Sequence, residues 1–146
     1  MTNKFASLFQ PTKFLLMILQ INVITVIIQV KDSHILPGIG MAYDQTSTQY
    51  ATANSQVMFW CVFSLILLVL EFGIIFSGRT LFNHKYNLIV IALHVWGLFL
   101  SSQFLIYEGH YQRIAALSVF NSILPVTAEF LSMVFSQMNY RKEFTV

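Results

Sequence analysis

Glu71, His94 and Glu129 sit inside three different apolar runs of this chain. Two carboxylates and an imidazole are the side chains of general acid–base work, proton relay and metal ligation. In hydrocarbon a charged group costs anything from about 2.5 to over 10 kcal/mol, so it is tolerated only where it is paired inside protein or reaches water. A Glu/His/Glu set suits zinc or iron through oxygen and nitrogen, but no H-x-x-x-H or E-x-x-H spacing supports a metal centre. A relay suits groups that titrate near neutrality. It needs a wet path to both sides, and on one side only Ser101, Gln103 and Asn121 are available for it. A third reading is a hydrogen-bonded layer that fixes how helices pack.

The elements that must carry these residues follow from composition. The chain has 146 residues, 56% hydrophobic and 10% charged, with 14 Phe; its mean hydropathy is +0.67. Soluble domains carry about 25% charged residues. This is the composition of a membrane protein with room for one small domain. A net charge of +2 gives no reason to expect nucleic acid, and the single cysteine, Cys61, excludes an internal disulfide and a CxxC site. Cys61 is read as a packing residue.

Four segments approach the roughly 20 apolar residues a spanning helix needs: about 14–30, 55–77, 86–106 and 114–138. None alternates as a barrel strand would, so helix is expected throughout. The first is read as a retained span. Its apolar stretch exceeds the roughly 7–15 residues of a signal-peptide core, and Lys31-Asp32-Ser33-His34 follows instead of a cleavage site. Residues 31–54 are read as a luminal or extracellular loop broken by Pro37, Gly38 and Gly40; the other connections are tight turns, so consecutive helices run antiparallel. The expected fold is all-α, a polytopic antiparallel four-helix transmembrane bundle with no separate soluble domain. Lys4, Lys13, Arg79, Lys85, Arg141 and Lys142 fall on one side and Lys31 and Arg113 on the other, which predicts cytoplasmic termini.

Steps of three and four give each span a stripe of small and polar residues: Val57, Cys61, Ser64, Leu68, Glu71, Ile75 and Gly78 in the second; Asn87, Val90, His94, Gly97, Ser101 and Phe104 in the third; Ser118, Ser122, Pro125, Glu129, Ser132 and Ser136 in the fourth. The first gives Ile18, Asn22, Thr25 and Gln29. In lipid such stripes face one another. Glu71 lies 7 residues before Gly78, His94 9 after Lys85, Glu129 9 before Met138, and Asn22 9 after Lys13. At about 1.5 Å per residue, all four fall roughly 10–14 Å inside one boundary. The expectation is a structural intramembrane polar layer of Glu71, His94, Glu129 and Asn22, with no catalytic, cofactor or metal role. Pro125 removes a donor to Asn121 and is expected to kink the fourth helix one turn before Glu129. His34, His84 and His110 are read as solvated loop or end residues.

Several of these residues carry a resemblance. Glu71-Phe72-Gly73, continuing through Phe76-Ser77-Gly78 to Leu81-Phe82-Asn83, is similar to the E-x-x-G-F-x-S-G-x-x-x-F-N pattern of the transmembrane protein 107 family of ciliary transition-zone proteins. Ala92-Leu93-His94 matches that family's third-span histidine. Ser122-Ile123-Leu124-Pro125 with Glu129 resembles its S-A-L-P-A-x-x-E stretch, and Lys13-Phe14-Leu15 its R-F-L. Asp32-Ser33, Leu36-Pro37 and Tyr43-Asp44 echo its luminal loop. Tyr107-Glu108-Gly109-His110 keeps the glutamate but not the tryptophan that commonly follows. The resemblance implies four spans with cytosolic termini and a non-enzymatic scaffold at the ciliary base. It further implies membrane lipids, tectonic-type, B9-domain and Meckel-module proteins as partners, and a role in the diffusion gate and cilium assembly. Two rival readings are a transporter or channel subunit using Glu71, His94 and Glu129, and an accessory subunit of a large organellar membrane complex.

Overall fold

Without water to bond to, an apolar segment must close its own backbone hydrogen bonds, and helix does so within one segment. The computed structural model describes residues 3–40, 45–77, 84–107 and 110–143, with side chains over 8–40, 45–77, 85–107 and 110–138. Tyr43, Asp44, Gly78, Arg79, residues 81–83 and Glu108 lie outside it, as do the side chains of Lys4, His84, Arg141 and Lys142. In chain order, α1 (Asn3–Gln29), α2 (Lys31–Ile39), α3 (Thr48–Phe76) and α4 (His84–Ile106) come first. A 3-10 turn (Tyr111–Arg113), α5 (Ile114–Ser118), a π-helical turn (Val119–Ile123) and α6 (Leu124–Glu143) then form the fourth span. Four stretches are long and apolar enough to cross a membrane: Leu8–Gln29, Thr48–Phe76, Lys85–Ile106 and Tyr111–Met138. The protein is an all-α multi-pass membrane bundle, with no strand among the described residues.

The packing order is not the chain order. α1 packs most extensively on α4 and also on α3, while the fourth span packs on α4 and α3. α3 and α4, consecutive in sequence, therefore face each other across the bundle axis, and so do α1 and the fourth span. Contacts between α1 and α4 advance in step, Lys13 with Asn87 and Gln20 with His94, so these two run parallel. α1 and α3 run antiparallel, with Phe14 against Phe72 (ring centroids 5.3 Å apart) at one end and Asp32, just beyond α1, bonded to Tyr50 at the other.

The stripes read from α3 and α4 are the faces the structure buries: Val57, Cys61, Ser64, Leu68, Glu71 and Ile75 on one, and Asn87, Val90, His94, Gly97, Ser101 and Phe104 on the other. On α1 the buried face is different. Lys13, Met17, Gln20, Ile24 and Ile27 turn inward, while Asn22, Thr25 and Gln29 are exposed. Asn22 and Thr25 each bond a carbonyl one turn back in their own helix, Ile18 O and Ile21 O, both at 2.8 Å. A polar side chain with a donor engaged in this way by its own helix can face outward without a partner helix.

Within 31–54, where a loop was expected, the described residues are largely helical, in α2 and the start of α3. α2 ends at Gly40, whose φ of 67° is the left-handed conformation that suits glycine as a helix stop; Pro37 and Gly38 lie inside the helix. Ser47 caps α3 by accepting from Tyr50 N, and Tyr50 Oη donates to Asp32 Oδ1 at 2.6 Å. His34 is buried and stacks on Phe104 with ring centroids 4.4 Å apart. His110 Nδ1 accepts from Gln112 N, which leaves Nε2 as the protonated nitrogen donating to Gly38 O at 3.1 Å. His34 is thus buried where a solvated side chain was expected, whereas His110 stays exposed, as expected, while bonded to Gly38; these contacts tie α2 over one end of the bundle.

Candidate functional site

The bundle interior holds three tiers of polar side chains. The outermost is built on Lys13, which is 0% exposed and five residues into the first span. Its long apolar stem packs within protein while its ammonium finds polar partners. Nζ donates to Asn87 Oδ1 at 2.6 Å and makes an ion pair with Glu129 Oε1. This pair bridges one diagonal of the bundle, from the first span to the last.

The middle tier bridges the other diagonal. His94 Nε2 on α4 lies 2.8 Å from Glu71 Oε1 on α3, and His94 Nδ1 lies 2.7 Å from Gln20 Oε1. The proton arrangement follows from donor rules. The His94 carbonyl can only accept, so the Gln20 atom 3.3 Å from it is Nε2, which also donates to Asn121 Oδ1 at 3.3 Å. Gln20 Oε1 is then an acceptor and His94 Nδ1 carries hydrogen. One proton therefore lies between His94 Nε2 and Glu71 Oε1. With the proton on nitrogen the pair is imidazolium and carboxylate; with it on oxygen, imidazole and carboxylic acid. Both forms have zero net charge. Lys13 and Glu129 also cancel, so the interior holds ionisable groups without a net charge, the condition hydrocarbon imposes.

The third tier, on the α2 side of the other two, is neutral. Asn121 Nδ2 donates to Ser101 Oγ at 2.5 Å, and Ser64 Oγ donates to Ser118 Oγ at 2.7 Å. The π turn helps to build this tier. Pro125 has no N–H to give, and the wide turn just before it, in which Leu124 N–H reaches back to Val119 O, lets both Asn121 and Ser122 turn inward. Gly97 completes it. A Cβ there would strike Asn121 Oδ1 and lie 3.0 Å from Gln20 Nε2 and 3.1 Å from Asn121 Cα. Because the last of these is backbone, the conflict cannot be relieved by a rotamer change. Gly97→Ala is expected to cost about 1–3 kcal/mol through overpacking, read as a lowered thermal midpoint of the purified protein in detergent. Gly73→Ala, where a Cβ meets nothing within 4 Å, is expected to leave the midpoint unchanged.

Of the four residues expected to form one layer, the structure pairs Glu71 with His94, joins Glu129 to Lys13, and leaves Asn22 exposed on the opposite face of α1. Gln20 and Lys13 occupy the inward positions instead. Their signal was present as spacing: Lys13 and Gln20 are seven apart, as are their partners Asn87 and His94. Among the described residues, no group of three or more His, Cys, Asp or Glu is placed to hold a metal ion. Glu71 Oε2 and Glu129 Oε2 are buried without a hydrogen-bond partner among the described residues, so each carboxylate is engaged through one oxygen.

No curated protein and no solved structure matches the chain. The family model of TMEM107 (transmembrane protein) matches residues 9–133. That stretch holds α2, all of α3 and α4, most of the first and fourth spans, and every residue of the three tiers. The chain belongs to the transmembrane protein 107 family.

Proposed function

We propose that this protein is a non-enzymatic membrane scaffold of the ciliary transition zone, with both termini cytoplasmic. It supports assembly of the Meckel-syndrome-type module, the ciliary diffusion gate and ciliogenesis, with tectonic-type and B9-domain proteins as partners. Family membership supports the cellular role. The observation that carries the scaffold reading is the pairing of interior charges with one another, Lys13 with Glu129 and His94 with Glu71. Interior groups engaged in this way hold four helices in one register. They are not directed toward a substrate.

The outer surface fits the same reading. Leu15, Phe59, Ile66, Val69, Trp96 and Phe130 are among the large apolar side chains turned outward, where lipid or other spanning helices meet them. A transporter subunit would need its polar tiers to continue to water. Here the tier toward the α2 end closes in buried hydroxyls, those of Ser64, Ser101 and Ser118.

Imaging a tagged full-length copy in ciliated cells tests the proposal. Enrichment at the ciliary base is expected, together with loss of tectonic-type and B9-domain proteins from that site when the gene is deleted. An even spread through the cell membrane, or residence in an internal organelle, overturns it.

A further inference from the structure

A groove of about 420 Å3 runs between the last two turns of α4 and the start of the fourth span. It belongs to none of the polar tiers. Phe104, Leu117 and Phe120 wall its apolar part, with Leu100 at the far end, while Tyr107 and Arg113 stand at the mouth. From Leu100 to Tyr107 is seven residues, about 10 Å along the helix. The groove is therefore a mainly apolar strip, with Gln103 the polar side chain along it and a cation and a phenol at one end. Its mouth lies at the α2 end of the bundle, where an interfacial tyrosine belongs.

Arg113 is exposed and makes no ion pair among the described residues. The other cation at that end, Lys31, lies 3.6 Å from Asp32. A guanidinium is suited to a phosphodiester because its donors match two oxygens at once. An apolar channel leading away from that point into the hydrocarbon suits an acyl chain. The two features together call for one molecule that has both parts at a fixed separation. In a membrane-facing groove the molecule with that chemistry is a phospholipid.

We propose that this groove binds one phospholipid from the leaflet on the α2 side, its phosphate on Arg113 and one acyl chain against Phe104, Leu117 and Phe120. The site favours a headgroup whose phosphate charge is not offset. Phosphatidylglycerol therefore binds more tightly than phosphatidylcholine, whose own ammonium competes with the guanidinium. The site does not depend on the ciliary assignment, since it rests on the chain's own surface.

Native mass spectrometry of the full chain, titrated separately with phosphatidylglycerol and phosphatidylcholine, tests this. The wild type is expected to retain one phosphatidylglycerol preferentially. Arg113→Gln is expected to weaken phosphatidylglycerol binding about fivefold, the worth of one basic residue at a charged surface, and to abolish the preference. Arg113→Lys keeps part of it. Leu117→Trp fills the groove and lowers retention of both lipids, with Phe120→Trp as the alternative if that variant fails to fold. Unchanged binding in Arg113→Gln, unchanged retention in a folded tryptophan variant, or a lipid-free dimer as the main species overturns the proposal.

Discussion

Glu129→Ala is expected to lower bundle stability by about 3–5 kcal/mol, the penalty for removing one partner of a buried ion pair. The loss comes less from the missing attraction than from what remains. Lys13 is 0% exposed, its ammonium has Asn87 as its other bonded partner, and that amide is neutral. Lys13→Ala leaves Glu129 buried in the same way and is expected to cost as much. Replacing both residues, as in Lys13→Met with Glu129→Leu, removes both desolvation costs and is expected to restore most of the stability. Thermal midpoints of the wild type, Lys13→Met, Glu129→Leu and the double variant in one detergent form the necessary cycle. If the double variant is as unstable as the sum of the single ones, the two residues do not act as a pair.

The second large effect concerns Glu71. Glu71→Ala leaves His94 Nε2 buried without a partner, at a cost of about 1–3 kcal/mol for one unsatisfied polar group. Glu71→Gln is expected to cost much less. Its amide can donate to a bare Nε2 while Nδ1 continues to donate to Gln20, so the imidazole stays neutral and bonded on both sides. The comparison distinguishes a hydrogen-bonding role from a purely ionic one. The shared proton also has a spectroscopic mark: the carboxyl stretching region of the infrared spectrum should change in Glu71→Gln and in His94→Gln but not in Asn22→Ala. Equal destabilisation by Glu71→Ala and Glu71→Gln would mean that the carboxylate charge itself is required.

The sequence made the inward faces of α3, α4 and the fourth span legible because membrane helices concentrate their small and polar residues on the side that meets protein. Glu71, His94 and Glu129 stood out for the same reason, since no apolar run carries such groups without cause. The first helix misled twice. Asn22 and Thr25 look like inward residues by type, but each satisfies itself on its own backbone, and periodicity cannot reveal that bond. Lys13 looks like a boundary marker because lysines near helix ends usually reach outward to water. Its inward turn depends on a carboxylate in the last span, which no local reading can supply. The diagonal pairing of α3 with α4 was likewise hidden, because a short connection suggests adjacency and says nothing about which helices share an edge. In α2, Pro37 and Gly38 read as breakers because the ties of His34 to Phe104 and of Tyr50 to Asp32, which hold that segment in place, are tertiary.

The bond between Lys13 and Glu129 joins residues 116 positions apart. A ribosome therefore delivers the cation long before the anion. Throughout the synthesis of the second and third helices, the first one carries an ammonium whose counter-charge does not yet exist, and it must wait near the headgroups or in the shelter of the insertion machinery. It can settle to its final depth only when the last helix arrives. A chain that stops before the last helix lacks Glu129 and leaves the Lys13 ammonium without that counter-charge.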